Sequence, residues 1–244
     1  MSNHRTVVIT GASSGIGLAL VRAYSQRGYN VVGNARSQDG LNEVSRLLGA
    51  TANFTAVAGD IGAPATATKL IQAAIDRFGQ VDVLINNAGI FMSKPFVEFS
   101  PDDLEIMLST NLKGVVYASQ AAAAHMIERK QGHIVNISAS IAMNPVRAVP
   151  AALTALIKGG INHLTRALAL ELSLYNVKVN AIAPGIIDTP MHDISAHEFL
   201  GGLHPLGRMG QVADIADAAL YLTQSDFTTG IVLPVDGGAT AGKW

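Results

Sequence analysis

The chain has 244 residues, of which 49% are hydrophobic and only 14% charged, with a formal net charge of −1. That length and balance suit a sheet with both faces covered, and the near-neutral charge removes the field that gathers nucleic acid or an anionic membrane surface. No Cys is present, which excludes disulfides, thiolate zinc sites and cysteine nucleophiles.

The first ten residues, MSNHRTVVIT, run into an apolar strand without a signal-peptide pattern. No apolar run is long enough to span a bilayer. The expectation is a cytoplasmic protein.

Short β-branched runs alternate with longer amphipathic stretches. Residues 6–10 read as a buried strand, followed by a Gly-rich turn and a helix to about residue 27. Strand 30–34 and helix 41–48 come next, then strand 54–58, helix 65–78 and strand 81–85. A long Ala-rich helical region covers 101 to about 130. Strand 133–137, helix 151–174 and strand 177–182 follow, and the chain closes with helix 214–223 and strand 231–235. Residues 184–210 are the least regular and read as a loop or short-helix insertion.

Apolar strands separated by helices predict an α/β protein: a Rossmann-type doubly wound parallel sheet of about seven strands, with helices on both faces. Right-handed crossovers place ligands at the carboxyl ends of the strands. No linker or repeat interrupts the pattern, so residues 1–244 are expected to form a single domain.

The first turn carries the chemistry most openly. Thr10-Gly11-Ala12-Ser13-Ser14-Gly15-Ile16-Gly17 leaves the first strand and opens the first helix. Glycine accepts positive φ and presents no Cβ to a diphosphate, and the helix start offers free N–H groups and a positive dipole end. A plain Gly-rich turn has the same composition. The spacing is G-x-x-x-G-x-G, a variant of the commoner dinucleotide fingerprint.

Further motifs follow in order: Asn86-Asn87-Ala88-Gly89 after the fourth strand, Asn111, Lys158, and Pro184-Gly185 with Ile187-Asp188-Thr189 after the sixth. With the first turn they resemble the short-chain dehydrogenase/reductase family across essentially the whole chain.

That resemblance implies a dinucleotide held by Gly11, Ser13, Ser14, Gly15, Ile16 and Gly17. Asp60 and Ile61 would lie at the adenine, and Asn87, Ala88 and Gly89 would back the adenosine side. Lys158 would hold the nicotinamide ribose. Pro184, Gly185, Ile187 and Thr189 would surround the nicotinamide, the last two at its carboxamide. Asp60 as a simple turn residue and Thr189 as a helix cap are the plainer alternatives.

Cofactor choice turns on the end of the second strand. An acidic residue there would bind a ribose 2′-OH and repel a 2′-phosphate. The chain has Asn34-Ala35-Arg36-Ser37 instead. Arg36 can meet a phosphate by charge-assisted hydrogen bonds, so NADP is expected ahead of NAD.

In the family resembled, a Tyr stands four residues before the Lys, on the same helix face. The Lys charge lowers its pKa from about 10 so that it can exchange a proton with the substrate oxygen. Here that position is Thr154. The family's serine falls on Ser140, with Ser138 as alternate; both could instead merely satisfy backbone groups at a strand end.

The expected catalytic set is therefore Asn111, Ser138, Ser140, Thr154 and Lys158. It would serve hydride exchange between nicotinamide and a small-molecule carbonyl/alcohol substrate through an atypical proton relay. His192, His197 and His204, within 184–210, are a further potential proton source. With Asp193 they match no strong metal motif, so no metal is expected. Met191 and Met209 line an adaptable apolar pocket or fill core.

A nucleotide-binding sensor or assembly subunit without turnover is the rival reading. Ala118, Ala121, Ala122, Ala124, Ala167 and Ala169 permit close helix packing, and the resemblance implies a homodimer or homotetramer. The tail 236–244, with the one Trp, is expected near a neighbouring subunit or the active site.

Overall fold

The computed structural model describes residues 4–49 and 52–243. Trp244 lies outside the described residues, so the expectation for that side chain does too. Seven strands form one parallel sheet in the order β3-β2-β1-β4-β5-β6-β7. They are β1 (Thr6–Thr10), β2 (Asn30–Ala35), β3 (Phe54–Ala58), β4 (Val83–Asn86), β5 (Gly132–Ile137), β6 (Val177–Pro184) and β7 (Val232–Val235). The doubly wound α/β architecture expected from the alternating pattern is the one observed.

Neighbouring side chains on a strand point to opposite faces, and both faces are covered here. Val7 and Ile9 pack with Leu20, Val21 and Tyr24 of α1 (Gly15–Gln26) and with Ile215 and Leu222 of α8 (Val212–Gln224). Val8 packs on the other side with Leu70 and Ala74 of α3 (Pro64–Phe78) and Ala118 and Met126 of α5 (Gly114–Arg129). This two-sided burial is why the strands read as unbroken apolar runs.

α2 (Gln38–Leu48) begins earlier than expected because the Ser37 hydroxyl caps it, accepting from the Gly40 N–H. β4 begins two residues late. Asp82, next to it, instead uses its carboxylate to accept the Thr6 N–H at 2.7 Å. The region 101–130 is α4 (Pro101–Met107), a π-helical turn (Leu108–Lys113) and α5. α6 spans Ala152–Leu172. In the irregular stretch 184–210 the helical pieces are a 3₁₀ turn (Ile194–Ala196) and α7 (His197–Gly201), and Ile187 forms a parallel bridge with Gly210.

The strand order reverses between β1 and β4, since β1 pairs with β2 on one side and β4 on the other. Their following loops must diverge to opposite faces, which opens a crevice at the carboxyl ends. The Gly-rich turn and the Asn86–Gly89 segment lie at that crevice.

Candidate active site

Thr10, at the end of β1, pins both loops of the crevice. Its hydroxyl oxygen accepts the N–H groups of Asn87 and Ala88, each at 3.0 Å. Asn87 returns the tie through Nδ2, which donates to the carbonyls of Thr10 and Gly11. Gly11 takes φ +65°, and a Cβ there would lie 2.9 Å from Ala88 Cα. A Cβ on Gly17 would collide with the Gly11 carbonyl oxygen. Two of the motif's glycines therefore answer to packing as well as to any ligand.

Ser14 stands extended at the start of α1 without capping it. The N–H groups of the first helical turn have no intrahelical acceptor. Across the gap lies Thr189, whose Cγ2 would be 3.2 Å from a Cβ on Gly15.

Beside this turn, the Asn34 amide donates to the carbonyls of Val57 and Gly59, and Arg36 is exposed. Asp60 Oδ1 accepts the Gly62 N–H, the turn role weighed for it, and Asp60 is exposed. Ile61 is buried, and its Cγ2 fills the space a side chain on Gly114 would need.

Two side chains of the expected catalytic set, Asn111 and Lys158, meet behind Gly89. A Cβ there would lie 3.1 Å from Asn111 Oδ1 and 3.4 Å from Lys158 Nζ. Asn111 sits in the π-helical turn, a distortion frequent at functional sites. Its Oδ1 accepts the Ile90 N–H and its Nδ2 donates to the Ile90 carbonyl, so it clamps the loop after β4. Lys158 Nζ donates to the Ile137 carbonyl at 2.7 Å. Burial disfavours its charge and brings its pKa down to about 8.

The hydroxyls divide by what they bond. Thr154 is buried and its Oγ1 donates to the Met92 carbonyl at 3.2 Å. Ser138 is buried and its Oγ donates to the Lys158 carbonyl at 3.3 Å. Ser140, half-buried at the turn after β5, has no side-chain partner among the described residues. A cleft of about 460 Å³ is lined by Met143 and Asn144 with Pro234, Thr240, Gly242 and Lys243; Ser140 is not in its lining.

A family model described as short chain dehydrogenase matches residues 5–198. The chain belongs to that family. It is 36% identical to the (2S)-[(R)-hydroxy(phenyl)methyl]succinyl-CoA dehydrogenase subunit BbsD of Thauera aromatica, over 96% of each chain. It superposes on ElxO with NADP bound at a TM-score of 0.92, with 28% identity over 98% of this chain and all of that one. A 3-ketoacyl-(acyl-carrier-protein) reductase from Brucella melitensis, complexed with NADH, gives 0.90, with 30% identity over 98% of this chain and all of that one.

In this short chain dehydrogenase Ile187, Met191 and Met209 differ in burial. Ile187 is buried, with its Cδ1 in the space that a side chain on Gly210 would need. Met209 is buried as core filling, whereas Met191 is exposed.

The three histidines do not converge. His197 Nε2 lies 3.7 Å from Asp188 Oδ1. His192 is half-buried and its pKa is lowered, first by burial and then by His197. His204 is buried, with Nε2 accepting the Ile186 N–H. Among the described residues no group of three His, Cys, Asp or Glu side chains could hold a metal.

Sequence reasoning named Thr10 only as the start of the Gly-rich turn and His204 only as a proton source, and missed the backbone ties that both make. A Thr ending a strand before a Gly-rich turn is a usable signal for the first. Nothing local marks the second, because its partner lies 18 residues away.

Proposed function

We propose that this short chain dehydrogenase is an NADP(H)-dependent oxidoreductase acting on a carbonyl/alcohol or related small-molecule pair, with Lys158 at the head of its proton path. The observation that carries the reading is the meeting of Lys158 Nζ and Asn111 behind Gly89. A lysine with its pKa near 8 can give or take a proton close to neutral pH.

The residues present fit a dinucleotide. Gly11 and Gly15 take positive φ, and the uncapped start of α1 suits a diphosphate. Ser13, Ser14, Ile16 and Gly17 would complete that cradle. Asp60, Ile61, Asn87, Ala88 and Gly89 would border the adenosine half. Pro184, Gly185, Ile187 and Thr189 would border the nicotinamide. Bound there, the nicotinamide supplies the hydride donor or acceptor. Arg36 is the cation for a 2′-phosphate, and no carboxylate on Asn34, Ala35, Arg36 or Ser37 opposes one. ElxO with NADP bound supports NADP, and the Brucella reductase complexed with NADH keeps NAD as the second choice.

Lys158 orients the ribose and holds positive charge beside the reacting oxygen. Ser140, with its hydroxyl free, orients the substrate; Ser138 is the alternate with the poorer geometry. Asn111 keeps the loop after β4 in place around Lys158. Thr154 spends its proton on Met92, so a substrate oxygen would have to receive its proton from Lys158 through solvent.

The same Thr154 bond favours the rival reading, a nucleotide-binding sensor or assembly subunit without turnover. NADPH oxidation against a panel of aldehydes, ketones, quinones and imines separates the two. Turnover of any of them supports the oxidoreductase. Tight NADPH binding with no turnover across the panel overturns it in favour of the sensor.

The chain is further proposed to act as one domain in a cytoplasmic homodimer or homotetramer. No described helix is long and apolar enough to cross a membrane. A groove of about 430 Å³ between α5 and α6, lined partly by Ala123, Ala124, Ile127, Leu164 and Leu168, supports helix-to-helix assembly. Exposed Leu170 on α6 does so as well.

A further inference from the structure

We propose that His204 is a positioning residue for the turn Gly185–Ile187, set so that the Ile187 N–H is left free for the nicotinamide carboxamide. The proposal rests on the cofactor reading above and goes beyond it by adding a residue that no motif marks.

Three of the four amide N–H groups of this turn have acceptors among the described residues. Gly185 N–H donates to the Val235 carbonyl and Asp188 N–H to the Gly210 carbonyl. Gly210 N–H donates back to the Ile186 carbonyl. Ile186 N–H donates to His204 Nε2 at 2.9 Å. Of the four amides from Gly185 to Asp188, the Ile187 N–H alone has no acceptor among the described residues. In the two-residue bridge between Ile187 and Gly210 it points away from the partner strand.

His204 reaches this place because two glycines make room. A Cβ on Gly185 would lie 2.7 Å from His204 Nε2 and 2.9 Å from Asp236 Cα. A Cβ on Gly237, which takes φ +58°, would lie 3.3 Å from His204 Cβ. The ring is therefore wedged between the end of β6 and the turn after β7, and it is only 3% exposed.

Accepting at Nε2 requires a lone pair there, so the neutral ring carries its proton on Nδ1. That atom is buried without a partner. An apolar side chain of similar size would fill the space with no orphaned donor. What such a residue could not do is satisfy the Ile186 N–H. The bond to Ile186 is the return for the orphaned atom, and it ties the end of the 184–210 segment to the turn that borders the nicotinamide.

Three proteins test this: the wild type, His204→Leu and His204→Gln, whose Oε1 can accept where Nε2 does. Affinity is titrated for NADPH and for 2′-phospho-ADP-ribose, which keeps the phosphates and lacks nicotinamide. Exchange of the Ile186 amide is followed in the apoproteins.

His204→Leu is expected to weaken NADPH about ten-fold, leave the fragment within about two-fold, and speed Ile186 exchange. His204→Gln restores all three towards the wild type. Unchanged NADPH affinity in the Leu protein overturns the proposal. So does equal loss of the fragment, which a merely structural role would give, or a Gln protein no better than Leu. Should the Leu protein fail to fold, His204→Asn replaces it, because its oxygen falls short of the Nε2 position. A wild type that binds the fragment but gains nothing from nicotinamide overturns the proposal while leaving the phosphate site standing. One that binds neither brings down the cofactor reading first.

Discussion

Lys158 donates from Nζ to the Ile137 carbonyl at 2.7 Å, which leaves its ammonium buried at the end of β5 with one backbone oxygen as its hydrogen-bond partner. Burial disfavours the charge and lowers the pKa to about 8. The folded state thus bears the cost of a buried cation below pH 8. The unfolded chain binds the proton more tightly from there up to its ordinary value near 10.5, so this cost fades as pH rises through that window.

Lys158→Met removes the charge and keeps most of the stem. The apoprotein is expected to be more stable by roughly 1–3 kcal/mol at pH 7, with the gain shrinking towards pH 10.5 and turnover lost. Denaturant unfolding at pH 7 and pH 10 checks this. A Met protein that is less stable at pH 7 would show that the ammonium is not held at a cost.

Arg36 ends up exposed beside the capped start of α2, while the neighbouring Asn34 is committed to β3 carbonyls. It is the cation proposed above to read a 2′-phosphate. Arg36→Glu replaces a charge-assisted bond with repulsion, so NADPH affinity should fall by about 10–100-fold. NADH affinity should change by less than about three-fold, since its ribose brings no phosphate. Equal losses for both cofactors would remove Arg36 from that role.

The sheet was legible because burial on both faces left unbroken β-branched runs, as in Val7–Ile9 against α1 and α3. Boundaries slipped where side chains took over backbone work. Asp82 accepts the Thr6 N–H, which a count of apolar residues does not see. The π-helical turn around Asn111 was hidden inside an Ala-rich helical stretch, because a shift from i+4 to i+5 bonding leaves no fixed residue pattern. The Gly-rich turn could be read from spacing, since its glycines answer to local sterics. His204 could not, because its partner is a backbone N–H on another strand end. Choosing between Ser138 and Ser140 needed the direction of the chain after β5, which residue types alone do not carry.

The two serines and Thr154 now separate by bonding. Ser138 and Thr154 donate to the Lys158 and Met92 carbonyls, whereas the Ser140 hydroxyl has no partner among the described residues. Ser140→Ala should lower kcat by about 10–100-fold if its hydroxyl steadies the reacting oxygen. Ser138→Ala and Thr154→Val should keep kcat within about three-fold and each cost about 1 kcal/mol of stability, the price of leaving a carbonyl without its donor. Steady-state kinetics with thermal melts on all three proteins read both quantities. A large kcat loss in Thr154→Val alone would return that hydroxyl to the chemistry.

Far from the crevice, His133 at the start of β5 offers a second titration. Its Nε2 is 2.9 Å from Asn180 Nδ2, which donates to it, and its Nδ1 is buried without a partner. Burial, helped by the Lys178 and Arg5 charges, lowers its pKa to about 3. The folded protein therefore keeps the ring neutral while the unfolded chain protonates below 6.5. Stability from this group is complete above pH 6.5 and drains away as pH falls towards 3, by roughly 5 kcal/mol in all. His133→Gln retains an acceptor for Asn180 and cannot titrate. Its melting temperature should match the wild type within a few degrees at pH 7 and fall less steeply between pH 6.5 and 3. Identical slopes for the two proteins would show that acid unfolding starts from other groups.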